Sequence, residues 1–166
     1  MSEANLLASA LLIGSGATLV MDLWTILRKR WFGVPALDYA MVGRWLLYLP
    51  RGQYFHRPIA ASPALPGERA VGWIAHYLTG IAFAAVLLGL WHGWAGQPTL
   101  APALIVGLAS VAAPFLIMQP AMGAGVAARR TPRPAVARLH SLVTHGIFGA
   151  GLYVAGWSLH QSGLLP

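Results

Sequence analysis

Four stretches of the chain run nearly free of charge, at about residues 6–27, 71–91, 100–118 and 136–159. Each is close to the roughly 20 apolar residues that a helix rising 1.5 Å per residue needs to cross hydrocarbon. The pattern predicts an all-α integral membrane protein, a four-span transmembrane helical bundle forming a single domain over residues 1–166. Between the first two runs lies "WFGVPALDYAMVGRWLLYLPRGQYFHRPIAASPALPGE", too rich in Pro and Gly for another span and too aromatic for a free linker. Asp38 is a candidate N-cap and Pro50 a stop. A helix between them aligns Tyr39, Val42, Trp45, Leu46 and Leu49 along one side, with Trp45 and Tyr48 suited to headgroup depth, which predicts an interfacial helix in the first cytoplasmic loop.

Composition supports the membrane reading. The chain is 57% hydrophobic and 9% charged with a mean hydropathy of +0.63, against roughly a quarter charged in soluble domains. The formal charge of +7 suggests nucleic acid at first sight, but all eleven Lys and Arg fall within residues 28–69 and 129–138. Both segments follow an odd-numbered run and precede an even one, so the positive-inside rule places them in the cytoplasm and both termini in the periplasm, and nucleic-acid binding is not needed to explain the charge. The leader "MSEAN" carries Glu3 in place of a basic residue, so the first run is expected to be retained as a span and not cleaved. The absence of cysteine excludes disulfides, thiolate catalysis and an iron–sulfur cluster held by this chain.

Ionisable groups within the runs carry the candidate chemistry. Asp22 lies six residues before Arg28, His76 seven after Arg69 and His145 seven after Arg138. At the helical rise, each stands about 9 to 11 Å inside its basic flank. Gln119, beside Pro120, approaches that level if the third span breaks there. Helical spacing puts Gly14, Thr18 and Asp22 on one face, and likewise Gly72, His76, Thr79 and Gly80, and Ser141, His145 and Gly149. Small residues permit close helix approach, so the ionisable groups ride on inward-facing stripes.

Asp22, His76, His145 and Gln119 therefore form the candidate site, with several chemistries open. His76 and His145 are a candidate haem or metal-ion pair. The same set can relay protons or bind a small ligand, because neutral imidazole both donates and accepts. Alternatively the groups only fasten helices together, at about 1 to 2 kcal/mol per interhelical bond, in a structural or assembly subunit of a membrane complex. A small solute transporter is a further alternative, disfavoured by the few polar groups beyond the proposed level. No nucleophile with an evident base stands out, so the sequence leaves enzymatic activity open.

Other positions have local readings. Arg44, Arg129, Arg130 and Arg138 are candidate lipid-headgroup contacts, and Arg129, Arg130 or Arg133 can build a phosphate pocket. His56 reads as interfacial, His92 and His160 as residues of the outer face, and His140 as wet. Glu68 can cap the second span or pair locally beside Arg69. Partners expected are membrane lipids and either a second copy or another membrane protein, with Gly89 and Gly93 spaced as a G-x-x-x-G contact. A faint repeat relates "RAVGWIAHYLTG" to "RLHSLVTHGIFG", each reading Arg, six residues, His, three residues, Gly.

The segments "GATLVMDLW", "VGRWLLYLPRG", "GERAVGWIAHY", "PFLIMQP" and "RTPRPAVARLHSLVTHGIFGAGLY" resemble a family of small bacterial membrane proteins, domain of unknown function 2938. The similarity covers nearly the whole chain and includes Asp22, Arg44, His76, Gln119, Arg138 and His145. It implies a multi-pass protein of the bacterial inner membrane and supplies no activity, substrate or cofactor.

Overall fold

The computed structural model describes residues 3–163, and within them the chain is helical with no strand. The helices are α1 (Glu3–Phe32), α2 (Tyr39–Tyr48), α3 (Glu68–Leu90), α4 (Leu100–Ala109), α5 (Gln119–Ala121) and α6 (Pro134–Gln161). Four segments are long and apolar enough to cross a membrane: Asn5–Phe32, Glu68–Leu90, Leu100–Ala121 and Pro134–Gln161. The expected position of the chain ends concerns residues 1–2 and 164–166, which lie outside the described residues. Packing divides the chain into two compact units: one holds the chain up to Ala36 with Tyr77–Ser110 and Val143 onward, the other Leu37–His76 with Val111–Leu142.

In the first unit, α1 runs straight through Arg28, Lys29 and Arg30, since none of these opposes helix, and ends at Gly33, whose φ of 64° suits glycine. Its helices meet through small residues. Gly14 lies against Gly80 and Ile81, Gly151 against Ala17, and Gly149 against Ala103 and Gly107. Ile13, Leu87 and Leu152 fill the space between them, with Ala84 and Phe148. Leu7, Leu11, Leu19, Leu23 and Ile26 of α1 and Leu78, Val86 and Leu90 of α3 are exposed. Small residues inside and large apolar ones outside are what close packing in lipid calls for. The turn after α3 folds back: the Trp94 ring lies over Gly156, and its Nε1 donates to the Thr99 carbonyl at 2.9 Å. The G-x-x-x-G expectation fails here, because α3 ends at Leu90 and Gly93 adopts a left-handed φ of 84°, so Gly89 and Gly93 share no helix face.

In the second unit, Asp38 caps α2 as its sequence position predicts, its carboxylate accepting the Ala40 N–H at 3.0 Å. Gly43 and Tyr48 are the buried positions of α2. A Cβ at Gly43 would overlap the Glu68 carbonyl and one at Gly72 the Tyr39 carbonyl, so α2 rests backbone-to-backbone on the start of α3. The third run does not break at Gln119–Pro120: it stays within one helical segment, Leu100–Ala121, with a turn at residues 110–111 after α4 ends at Ala109 and a π-helical turn over Pro114–Met118. Pro114 has no N–H for the Ser110 carbonyl, and the wider turn instead brings the Gln119 N–H to the Pro114 carbonyl.

Candidate functional site

Each ionisable group of the proposed set is bonded to a hydroxyl on another helix. In the first unit the Tyr77 hydroxyl of α3 donates to Asp22 Oδ2 of α1 at 3.1 Å. Ser110, at the end of α4, donates through Oγ to the Gly107 carbonyl at 2.6 Å and stands 2.7 Å from His145 Nδ1 of α6. A serine hydroxyl has one proton, and Gly107 holds it, so Nδ1 of His145 is the donor across the helix gap.

The helix register sets Asp22 and His145 at similar heights. Gly151 packs on Ala17 and Val20, with Gly16 against Ala155, which makes α1 and α6 antiparallel at this contact. Asp22 is further along α1 on the side toward which α6 runs back to His145, and counting residues from the contact puts the two within about one helical turn in height. Both are half-buried.

In the second unit, His76 Nε2 lies 3.0 Å from the Tyr39 hydroxyl of α2. The Tyr39 and His76 rings stack at 4.2 Å between centroids, and Trp73 meets His76 edge-on at 5.8 Å. Gln119 also belongs to this unit, where its Oε1 is buried without a hydrogen-bond partner among the described residues. The proposed set thus divides, with Asp22 and His145 in one unit and His76 and Gln119 in the other. Among the described residues, no three His, Cys, Asp or Glu side chains gather as metal ligands.

Sequence reasoning missed the hydroxyl partners Tyr39, Tyr77 and Ser110. A signal for Ser110 was present, since it is the one hydroxyl in the run from Leu100 to Met118. Glu68 keeps a local contact at the start of α3, as expected, but takes a distant partner in place of Arg69. Its carboxylate takes both Nε and Nη2 of Arg44 at 2.8 Å, 24 residues away, and accepts the Leu65 N–H at 2.8 Å. Arg44 adds a bond to the Ser62 carbonyl at 2.9 Å, and its side chain is 13% exposed. The carboxylate partner holds the guanidinium pKa above its ordinary value. Arg44 therefore spends its donors within the unit, and of the other expected headgroup contacts Arg129 and Arg130 are exposed while Arg138 Nε donates to the Ala127 carbonyl. His56, read as interfacial, is buried, with Nδ1 at 2.8 Å from Ser62 Oγ.

No match was found among curated proteins or among solved structures. The profile of one family, described as "Protein of unknown function (DUF2938)", matches residues 11–159 and so takes in all four candidate spans for most of their length. The chain belongs to that family.

Proposed function

We propose that this is a multi-pass protein of the bacterial inner membrane, with its basic segments in the cytoplasm and α2 at the interface, in which Asp22 and His145 handle protons. The observation that carries the reading is the choice of partner. A hydroxyl serves either protonation state of its neighbour: Tyr77 donates to an Asp22 carboxylate and can accept from the acid, and Ser110 Oγ accepts from His145 Nδ1 in both the neutral and the cationic ring. Protons can therefore come and go without stranding a buried polar atom or parting the helices. His76 with Tyr39 repeats the arrangement in the second unit.

Infrared difference spectroscopy of the protein in lipid vesicles, titrated across about pH 4 to 9, tests the proton reading. A carboxylic-acid band is expected to grow as pH falls, to vanish in Asp22→Asn and to shift in Tyr77→Phe. A spectrum without that band, from a folded protein, would make these residues fasteners and return the protein to the class of structural subunits. A phosphatase that works only in the periplasm, fused to the carboxyl end, is expected to be active, and an inactive fusion in an expressed protein would reverse the orientation.

A further inference from the structure

The second unit carries eight arginines, Arg44, Arg51, Arg57, Arg69, Arg129, Arg130, Arg133 and Arg138, but only two carboxylates, Asp38 and Glu68. Glu68 is occupied by Arg44, and Asp38 caps α2. This leaves no carboxylate of the unit for Arg129 and Arg130.

Those two arginines sit in a loop of uncommon backbone. Gly123 and Gly125 have φ of 99° and 74°, and Ala127 and Ala128 are also left-handed, at 47° and 58°. A residue with a Cβ in that region is strained and persists only where its surroundings hold it. Here the Arg130 N–H bonds the Ala124 carbonyl, Thr131 Oγ1 bonds the Ala128 carbonyl and Arg138 Nε bonds the Ala127 carbonyl, each at 2.8 Å. The consequence is a convergence of side chains. A Cβ on Gly125 would lie 2.8 Å from Arg129 Cγ and 3.0 Å from Arg130 Cγ, so both stems rest on one buried glycine while their charged ends are exposed. Two guanidinium groups whose stems meet at one glycine can reach a single anion together.

The geometry points to a phosphate site made by Arg129 and Arg130 over Gly125, occupied by the headgroup of an anionic phospholipid. Planar guanidinium groups match phosphate oxygens in pairs. A lipid is favoured over a soluble phosphate because apolar side chains lie exposed in the same loop and in the helix that Arg138 ties to it: Val126, 43% exposed, and Val136 and Leu139 at the start of α6, 45% and 59% exposed. This site is independent of the proton reading and involves none of its residues.

Native mass spectrometry tests it, with the full chain released from nanodiscs of equal phosphatidylglycerol and phosphatidylcholine. The wild-type protein is expected to retain phosphatidylglycerol in preference. The Arg129→Gln/Arg130→Gln protein is expected to lose about tenfold of that retention, as befits two basic contacts. Gly125→Ala removes no charge but displaces both stems, and is expected to lose retention too. Arg51→Gln/Arg57→Gln, with equal charge removed elsewhere, is expected to keep it. Equal losses in the two double variants would overturn the site in favour of diffuse charge, and so would unchanged retention in a folded Gly125→Ala protein. Displacement of the lipid by added inorganic phosphate would overturn the assignment to a headgroup.

Discussion

The two units share imidazole–hydroxyl pairs but differ in how they carry charge. The first has a formal charge of only +1, from Arg28, Lys29 and Arg30 against Glu3 and Asp22, and its helices pack through glycine and alanine. Asp22 and His145 are bonded to hydroxyls there. The second has a formal charge of +6, and its half-buried charge at Arg44 is met by a carboxylate, with Ser62 and Leu65 backbone groups completing the network. A hydroxyl tolerates either protonation state, whereas an ion pair fixes one. The first arrangement suits groups that titrate, and the second suits a scaffold.

The largest expected effect follows from that contrast. Leaving one partner of a shielded ion pair alone costs about 3 kcal/mol or more, and Arg44 and Glu68 are only 13% and 14% exposed. Glu68→Gln and Arg44→Leu should each lower the unfolding temperature in detergent by several degrees. Hydrogen exchange should show the loss at residues 39–68, where Arg44 ties α2 to the Ser62 and Glu68 segments, with residues 8–30 of α1 still protected. Equal loss of protection in both regions would erase the distinction between the units.

A smaller cost is expected at a close helix contact of the first unit. A Cβ at Gly149 would stand 2.9 Å from the Ala103 carbonyl oxygen and 3.0 Å from Leu104 Cα, both backbone atoms that cannot swing aside. Gly149→Ala should therefore destabilise by about 1 to 3 kcal/mol, measured by the same unfolding experiment. Wild-type stability would mean that α4 and α6 have room to separate and that glycine packing is not what holds this unit.

Length and hydrophobicity alone make four helices able to cross a membrane legible in the chain, and the Asp38 cap follows from one residue's position. What escapes such reading is set by tertiary contact. Glu68 beside Arg69 reads as a local pair, but α2 returns Arg44 to it through the Gly43 and Gly72 contact, which no spacing rule announces. The stripe of Tyr39, Val42, Trp45, Leu46 and Leu49 follows hydrophobicity, while close helix packing selects small residues, so Gly43 is hidden among larger neighbours. Pro114 does announce its break, but in an apolar run its missing N–H is outweighed by length. The hydroxyl partners are invisible because Tyr39 and Tyr77 are ordinary interfacial or core residues until another helix supplies the group they bond.

The hydroxyl pairs should yield a modest energy and a clear spectroscopic change. Ser110→Ala removes the acceptor of His145 Nδ1–H and should cost about 1 kcal/mol. Nitrogen-15 NMR of the histidines should show the Nδ1–H tautomer for His145 in the wild-type protein and a shift toward Nε2–H in the variant. An Nε2–H ring in the wild type would mean that Ser110 directs its proton to the imidazole, and the geometry at Gly107 would have to relax.

The smallest effects separate two glycines that the sequence couples. Gly89 lies in the last turn of α3 with nothing within 4 Å of an added Cβ, so Gly89→Ala favours the helix and should stabilise by about 0.5 kcal/mol. Gly93 has equal space but a φ of 84°, so Gly93→Ala should cost about 1 kcal/mol through the backbone alone. Opposite signs from identical substitutions four residues apart are the expected result by thermal unfolding. Destabilisation at both, with loss of an oligomer on sedimentation, would instead restore the two glycines to one contact face and require α3 to continue past Leu90 in the assembled protein.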